Sequence, residues 1–288
     1  MTRILGVGIA TLDIINTVDG FPAEDSEVRA LTQRICRGGN ATNTLVVLSQ
    51  LGHACAWGGV LADEPDGKRI LEDLSRHRID TRACRQEAQG KVPTSYIALN
   101  RRNGSRTIIH YRYLPEYSFD DFSRVDLSAF DWLHFEGRAV DETRRMLELA
   151  RAVTPCTPRS VEIEKPRDAI ENLFPLADVL LFSRNYAQSC GIEDAGAFLR
   201  HARNLAPHAN LVCAWGEDGA YGLTRDGKTH HSPAFPPSVV IDTLGAGDTF
   251  NAGIIHARLN GFTWEHALRF ACELAGKKCG RVGFDIGL

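Results

Sequence analysis

The chain has 288 residues, the length of one large α/β domain or of two small domains. Hydrophobic residues make up 43% and charged residues 24%, a globular composition that excludes a disordered chain. The formal net charge is −3, so the sequence lacks the excess of basic residues that nucleic-acid binding requires. We therefore expect no nucleic-acid partner.

Membrane insertion and a disulfide-stabilised fold are also disfavoured. No apolar run reaches the length of about 18 residues that indicates a membrane helix, so we expect no membrane partner. The eight cysteines are scattered and form no C-x-x-C pair. This usage is typical of reduced thiols and predicts a cytoplasmic protein.

Short apolar runs alternate with amphipathic segments along the chain. The runs have the length and flanking residues of buried strands, and they cover residues 4–9, 54–60, 132–135, 160–163, 179–182 and 211–215. Helices are predicted after Asp66 and Asp141, each acting as an N-cap, and over residues 264–275. The alternation predicts a mostly parallel central sheet flanked by helices.

Two segments depart from this alternation. Residues 92–111 predict a β-hairpin, because Asn103-Gly104 separates two β-rich runs. Residues 11–33 contain strand-like pieces and turn residues but no convincing helix. We interpret the chain as a single domain over residues 1–288, with a small β-sheet lid formed by about residues 11–33 and 92–115.

The strongest chemical signal is the segment 242–251, DTLGAGDTFN. A β-rich run, residues 238–241, precedes it, and a helical pattern follows. Gly245 and Gly247 allow a ligand to approach backbone N–H groups at a helix start, which is an anion-binding geometry. Asp248 adds a carboxylate that could accept a proton from an attacking hydroxyl. The alternative is a plain glycine turn with a helix-capping Asp.

A second glycine-rich point, residues 37–43, opens the next predicted helix. Asn40 is the predicted N-cap and Asn43 lies one turn further on, and both amides could bind neutral hydroxyls. A glycine turn with a capping Asn explains the same pattern. Asp13 follows the first strand, and Asp25 lies in a polar loop.

Several common catalytic motifs are missing. Residues 6–11 contain two glycines but not the third of a dinucleotide fingerprint, which disfavours a dehydrogenase. The sequence has no zinc-ligand spacing, no G-x-S-x-G elbow and no Walker loop. A nucleotide would therefore have to be held in another way.

These residues resemble the ribokinase-like (PfkB) carbohydrate kinases, over nearly the whole chain. Residues 242–251 look like the C-terminal signature of that family, and residues 37–41, RGGNA, look like its N-terminal signature. Further segments resemble its ketohexokinase branch: 24–27 (EDSE), 104–108 (GSRTI), 136–138 (EGR), 162–167 (EIEKPR), 212–215 (VCAW), 234–237 (AFPP) and 275–280 (AGKKCG).

The resemblance implies a Rossmann-like α/β ribokinase fold with a β-sheet lid over the sugar. It implies ATP-dependent phosphorylation of a ketose hydroxyl, the 1-hydroxyl of D-fructose for the ketohexokinase branch. Asp248 would be the general base, and Gly245, Ala246 and Gly247 would form the anion hole. Magnesium would accompany the ATP, and the family also allows a monovalent cation.

The resemblance also implies binding residues and an assembly. Sugar hydroxyls would be held by Asp13, Asp25, Gly39, Asn40 and Asn43, and ATP by Arg106, Trp215, Gly216 and Glu217 with Gly245 and Gly247. A homodimer would form through the lid sheet.

The sequence departs from the family in two places. Gln188 stands where many relatives carry a glutamate near the metal, so we name no metal ligand. Residues 110–115 of the lid also differ, which leaves the sugar and the dimer contacts open. One alternative is a kinase for another ketose or for a sugar phosphate, clamped by Arg138 or Lys165. Another is a non-catalytic regulator that binds sugar or nucleotide.

Overall fold

The computed structural model describes residues 2–287. Strands and helices alternate through most of the chain. The strands are β1 Arg3–Val7, β2 Thr11–Val18, β3 Thr32–Gly38, β4 Ala54–Gly58, β5 Val60–Ala62, β6 Arg85–Glu87, β7 Lys91–Asn100, β8 Arg106–Tyr113, β9 Trp132–Glu136, β10 Arg159–Ile163, β11 Val179–Ser183, β12 Asn210–Ala214, β13 Ala220–Leu223 and β14 Thr229–Ser232. The α-helices are α1 Asn40–Gln50, α2 Pro65–Arg76, α3 Phe119–Phe122, α4 Val140–Val153, α5 Arg184–Ser189, α6 Ala195–Leu205, α7 Ala246–Leu259 and α8 Trp264–Cys279.

The large sheet has eight strands in the order β14-β13-β12-β11-β10-β9-β1-β4. Strands β4, β1, β9, β10, β11 and β12 are mutually parallel, and β13 and β14 are antiparallel additions at one edge. The predicted parallel sheet is thus confirmed. The carboxyl ends of its parallel strands share one edge, which is where ligands bind in open α/β sheets.

Successive residues of the large sheet point into two hydrophobic layers, because strand side chains alternate between faces. Leu133 and Phe135 join the cluster that includes residues of α4 and α6. Ile4 and Trp132 join the cluster that includes residues of α1, α7 and α8. Both faces are therefore covered, as near-continuous apolar strands require.

The second sheet has four strands in the order β3-β2-β7-β8. It contains the predicted hairpin, in which β7 and β8 pair antiparallel around the Asn103-Gly104 turn. Residues 11–33 supply β2 and the start of β3, which pair with each other and with β7. The small separate sheet is thus confirmed, and β3 extends past the expected boundary to Gly38.

One β-rich run forms no strand, and one predicted strand is interrupted. Residues 238–241 form no strand, and Val239, Val240 and Ile241 are more than half exposed. Their β-branched side chains are typical of a strand, but no strand among residues 2–287 pairs with them. The N–H of Ile241 instead donates to Cys279 O at the end of α8. The predicted strand over residues 54–60 ends at Gly58, and Val60 begins the separate strand β5.

Three predicted N-caps are wrong by one or two residues. Glu64 precedes α2, so Asp66 lies in the first turn of the helix, and Ala139 precedes α4, so Asp141 lies in its first turn. Gly39 is the N-cap of α1, and Asn40 is its first helical residue. The acidic residues in the first turns of α2 and α4 still favour these two helices through the helix dipole.

No helix in residues 2–287 is long and apolar enough to cross a membrane. All eight cysteines are unpaired, in agreement with the scattered spacing.

Candidate active site

The candidate site is built where the N-termini of α1 and α7 meet. These two helices pack against each other on one face of the large sheet. Asn43 of α1 donates a hydrogen bond from Nδ2 to Oδ2 of Asp248 in α7, at 2.7 Å, and both side chains are buried. The fold thus joins two glycine-rich segments that lie 205 residues apart in sequence.

A buried arginine that sequence reasoning did not assign holds this pair in place. Arg37, at the end of β3, donates from Nη1 to Oδ1 of Asn43 at 2.7 Å. Its Nε forms an ion pair with Asp73 at 2.6 Å. Because the Asn43 oxygen accepts from Arg37, its amide nitrogen is directed to Asp248. Arg37 lies within the RGGNA segment, which gave the only sequence signal for it.

Asp248 has the properties of a proton acceptor near neutral pH. Burial raises the pKa of its carboxyl to about 7, and the hydrogen bond from Asn43 opposes the rise. The negative charges of Glu164 and Glu136 also raise the pKa. A carboxyl with a pKa in this range can exchange a proton near neutral pH.

Two further carboxyls lie at the carboxyl ends of buried strands. Glu136 accepts hydrogen bonds from the N–H groups of Ala41, at 2.7 Å, and Ile9, at 3.3 Å. Glu162 accepts from Asn251 through Oε1 at 2.9 Å, whereas its Oε2 is buried without a hydrogen-bond partner among the described residues. Burial raises the pKa of both carboxyls. The sequence analysis assigned no role to Glu136 or Glu162. The signal that could have identified them is a glutamate in an otherwise apolar strand.

Gly6 and Gly8 serve close packing inside the protein. A Cβ on Gly8 would lie 2.5 Å from Cδ of Glu136, and a Cβ on Gly6 would lie 2.8 Å from Cδ1 of Leu45. Both positions therefore need glycine for close packing inside the protein.

The start of α7 offers free backbone donors. Gly245 is the left-handed N-cap with φ of 78°, and the ring of Phe284 packs against it. The N–H of Ala246 donates to Thr243 O at 3.2 Å, so Ala246 is not a free donor. The N–H groups of Gly247 and Asp248 have no acceptor within the helix, because both lie in its first turn. A Cβ on Gly247 would meet no atom within 4 Å, so an anion has room there.

Most predicted sugar-binding residues lie in this region. Asp13 is buried on β2 and accepts from Thr11 Oγ1 at 2.8 Å, and burial raises its pKa. A Cβ on Gly39 would lie 2.2 Å from Ile9 O, so only glycine fits there. Asn40 donates to Glu164 at 3.1 Å. Asp25 is separate, since it lies exposed in the loop between β2 and β3 with φ of 57°.

The predicted nucleotide-binding residues differ in their surroundings. Arg106 of β8 extends from the small sheet to within 3.5 Å of Thr243 Oγ1, next to the start of α7. Trp215 is buried in the hydrophobic core after β12, whereas Gly216 and Glu217 are accessible in a short 3-10 helix. Gln188 donates to Glu193 at the surface, at 2.7 Å.

Sequence comparisons assign the chain to a family. The profile of the pfkB family carbohydrate kinases matches residues 1–287. Mouse ketohexokinase is 45% identical over 98% of this chain and 98% of its own length. A fructosamine kinase of Bacillus subtilis is 26% identical over 85% of this chain and 84% of its own length.

Solved structures give the same fold. Ribokinase from Giardia lamblia superposes with a TM-score of 0.86, at 17% identity, over 99% of this chain and 96% of its own. Arabidopsis thaliana ribokinase, solved with ribose and ATP, superposes with a TM-score of 0.80, at 20% identity, over 98% of this chain and 94% of its own. The chain belongs to the pfkB family of carbohydrate kinases, and it is an ATP-dependent sugar kinase. The resemblance and the ribokinase fold expected from the sequence are thus confirmed.

Proposed function

We propose that the protein transfers the γ-phosphoryl group of ATP to the 1-hydroxyl of a ketose, with D-fructose as the preferred substrate. The observation that carries this proposal is the buried Asn43–Asp248 pair beside the open N-terminus of α7. The 45% identity with mouse ketohexokinase supports fructose as the sugar.

Asp248 acts as the general base in this proposal. Its carboxylate accepts the proton of the sugar hydroxyl as the oxygen attacks the γ-phosphorus, and the bond from that phosphorus to the β–γ bridging oxygen of ATP breaks. The N–H groups of Gly247 and Asp248, with the helix dipole, stabilise the charge on the transferred group. Gly245 shapes the turn that directs these N–H groups outward.

The sugar would be held by polar side chains around the same point. Asp13, Asn40 and Asn43 present carboxylate and amide groups that can pair with hydroxyls. Gly39 keeps the backbone close to the sugar. Asp25 would join them only if its exposed loop moves or another copy of the chain supplies it, so its assignment stays a prediction.

One carboxylate oxygen of the site is suited to magnesium. The free Oε2 of Glu162 is a buried carboxylate oxygen, and such oxygens suit Mg²⁺ or the water bound to it. When bound with ATP, the ion neutralises negative charge on the phosphates. Trp215, Gly216 and Glu217 remain predicted nucleotide neighbours, and the monovalent cation and the cytoplasmic location also stay predictions.

The four-stranded sheet would serve as the lid and as the dimer surface. Its inner face carries Asp13 and Arg106, and Arg106 extends toward Thr243, beside the start of α7 where the phosphates would bind. Its outer face carries exposed apolar side chains, among them Tyr96 and Ile109. A second copy of the same sheet would cover this face and form a symmetric dimer.

A sugar phosphate is the second candidate substrate, and one observation disfavours it. Arg138, a cation that could clamp a substrate phosphate, is already paired with Glu116 at 2.9 Å and with Glu136 at 3.3 Å. Lys165 is exposed and lies 3.4 Å from Glu164. Neither cation is left unpaired for a second phosphate group.

The deciding experiment is an ADP-release assay with Mg-ATP and a panel of ketoses, aldoses and sugar phosphates. We expect the highest kcat/KM with D-fructose, and a product phosphorylated at carbon 1 by NMR. Preference for a phosphorylated sugar would replace the proposal with the second candidate. Binding of fructose and ATP without turnover would favour the non-catalytic regulator.

A further inference from the structure

Lys278 is a fully buried lysine in the last turn of α8, remote in sequence from the glycine loop it contacts. Its neighbour Lys277 is exposed, so the two lysines of the GKKCG segment have opposite environments. A buried ammonium group is costly unless it is paired and hydrogen-bonded. The groups that pair with Lys278 therefore indicate the role of its charge.

The partner of Lys278 is Asp242, the first residue of the DTLGAGD segment. Lys278 Nζ donates to Asp242 O at 2.7 Å and lies 3.6 Å from Asp242 Oδ1. Burial lowers the pKa of Lys278, and the charge of Asp242 opposes this effect. Burial acts to raise the pKa of Asp242, but the hydrogen bond from Gly283 and the charge of Lys278 bring it below its ordinary value.

Asp242 in turn organises the loop that leads to α7. Its Oδ1 accepts from the N–H of Leu244 at 2.9 Å, and its Oδ2 accepts from Gly283 at 3.1 Å and from Arg34 at 3.0 Å. One carboxylate therefore connects the glycine loop, the C-terminal segment and strand β3 of the small sheet.

The C-terminal segment forms the base of the same loop. Cys279 O accepts from the N–H groups of Ile241 and Asp242, at 2.8 and 3.2 Å. The ring of Phe284 packs against Gly245, and its centroid lies 5.6 Å from Lys278 Nζ. Residues 242–245 thus rest on α8 and on residues 279–284, with Lys278 at the centre of the contact.

We propose that the buried Lys278–Asp242 ion pair fixes the conformation of residues 242–245, so that Lys278 is a positioning residue for phosphoryl transfer. Lys278 touches neither substrate in this view. It acts through the loop, because the direction of the Gly247 and Asp248 N–H groups depends on where α7 begins. This inference rests on the proposed role of the α7 N-terminus in binding the transferred phosphoryl group.

The test compares Lys278→Met, which removes the charge but keeps most of the side-chain length, with Lys277→Met at the exposed neighbouring position. Steady-state assays give kcat and the KM for ATP. Calorimetric titration with the sugar, in the absence of ATP, gives the concentration of folded binding sites and the sugar affinity. The sugar is whichever member of the panel the wild-type protein phosphorylates. We expect Lys278→Met to lower kcat per folded site at least fivefold and to change sugar affinity less than threefold, with Lys277→Met close to wild type.

A smaller fall in kcat per folded site would overturn the inference, because a purely structural lysine would lower only stability and yield. If Lys278→Met does not fold, Arg34→Met decides, since it removes the partly exposed second cation from Asp242. A fall in its kcat of at least threefold supports the inference, and a smaller fall overturns it. A wild-type protein that phosphorylates no sugar would instead refute the proposed function.

Discussion

The two sheets of this protein differ in how their faces are covered. The large sheet is covered by helices on both sides, and its buried strands end in carboxylates such as Glu136 and Glu162. The small sheet has one face toward the site and one face toward solvent. Directly opposed residues on the outer face, Ile35, Ile14, Tyr96 and Ile109, form an apolar row.

This difference in burial indicates that the two sheets have different roles. Burial on both faces fixes side chains and raises the pKa of carboxyls, which suits the chemical step. A sheet covered on one face only has fewer stabilising contacts, so it can move or associate. Arg106 and Arg34 extend from the small sheet to residues 242–243 and connect the two regions. The following predictions test these different roles of the two sheets, from the largest expected effect to the smallest.

Asp248→Asn should produce the largest effect, a fall in kcat of about 10²–10⁴-fold, because it removes the proposed general base and keeps the shape of the side chain. Fructose and ATP affinities, measured by calorimetry, should change little. Asp73→Asn serves as a milder control, because it weakens the ion pair between Asp73 and Arg37 and leaves Asp248 in place. Near-normal kcat in Asp248→Asn would remove Asp248 from the mechanism.

Ile109→Asp should convert a dimer to a monomer. Ile109 is 70% exposed in the single chain, and a charge there would be buried without a partner in each half of a symmetric interface. The cost is roughly 3 kcal/mol or more, about a hundredfold in the dissociation constant. Sedimentation should show the change, whereas Val153→Asp, at an exposed position on α4, should leave assembly intact. A wild-type monomer would refute the dimer surface.

Arg106→Ala should lower kcat about tenfold or more, because a hydrogen bond to a charged phosphate contributes about 1.5–3 kcal/mol. Fructose affinity without ATP should be unchanged. Arg102→Ala is the matched control, since Arg102 belongs to the same hairpin but pairs with Asp19. If kcat and KM for ATP stay the same, Arg106 is only a solvated hairpin charge.

The pH profile should show the buried environment of Asp248 directly. A general base works only when it is deprotonated, and the pKa of Asp248, the proposed base, is raised from 3.8 to about 7. The value of kcat/KM should therefore be constant above pH 8 and fall about tenfold per unit below pH 7. Asn43→Ala removes the bond that opposes the rise, so its acid limb should move to higher pH. A limb near pH 4 in the wild type would contradict this environment.

Asn40→Ala should have the smallest effect, a loss of roughly 0.5–1.5 kcal/mol in fructose binding. ATP affinity should remain the same in calorimetric titrations. Equal losses for both ligands would indicate that Asn40 mainly supports the start of α1 through Glu164.

Much of the fold could be predicted from the sequence because its signals are local. The short apolar runs, the amphipathic helices and the Asn103-Gly104 turn each depend on residues close in the chain. The β-rich run at residues 238–241 forms no strand, because a strand also needs a neighbour to accept its hydrogen bonds. The N-caps of α1, α2 and α4 were misplaced because several adjacent residues could begin each helix.

The sequence alone determined that residues 37–43 and 242–251 have the composition of ligand-binding turns and resemble family signatures. Only the tertiary structure decided that Asn43 contacts Asp248, that Arg37 directs Asn43, and that Lys278 is buried against Asp242. Lys277 and Lys278 are adjacent residues of the same type, but the packing of α8 exposes Lys277 and buries Lys278. The physical reason is that desolvation and hydrogen-bond pairing depend on residues distant in sequence, which no local pattern contains.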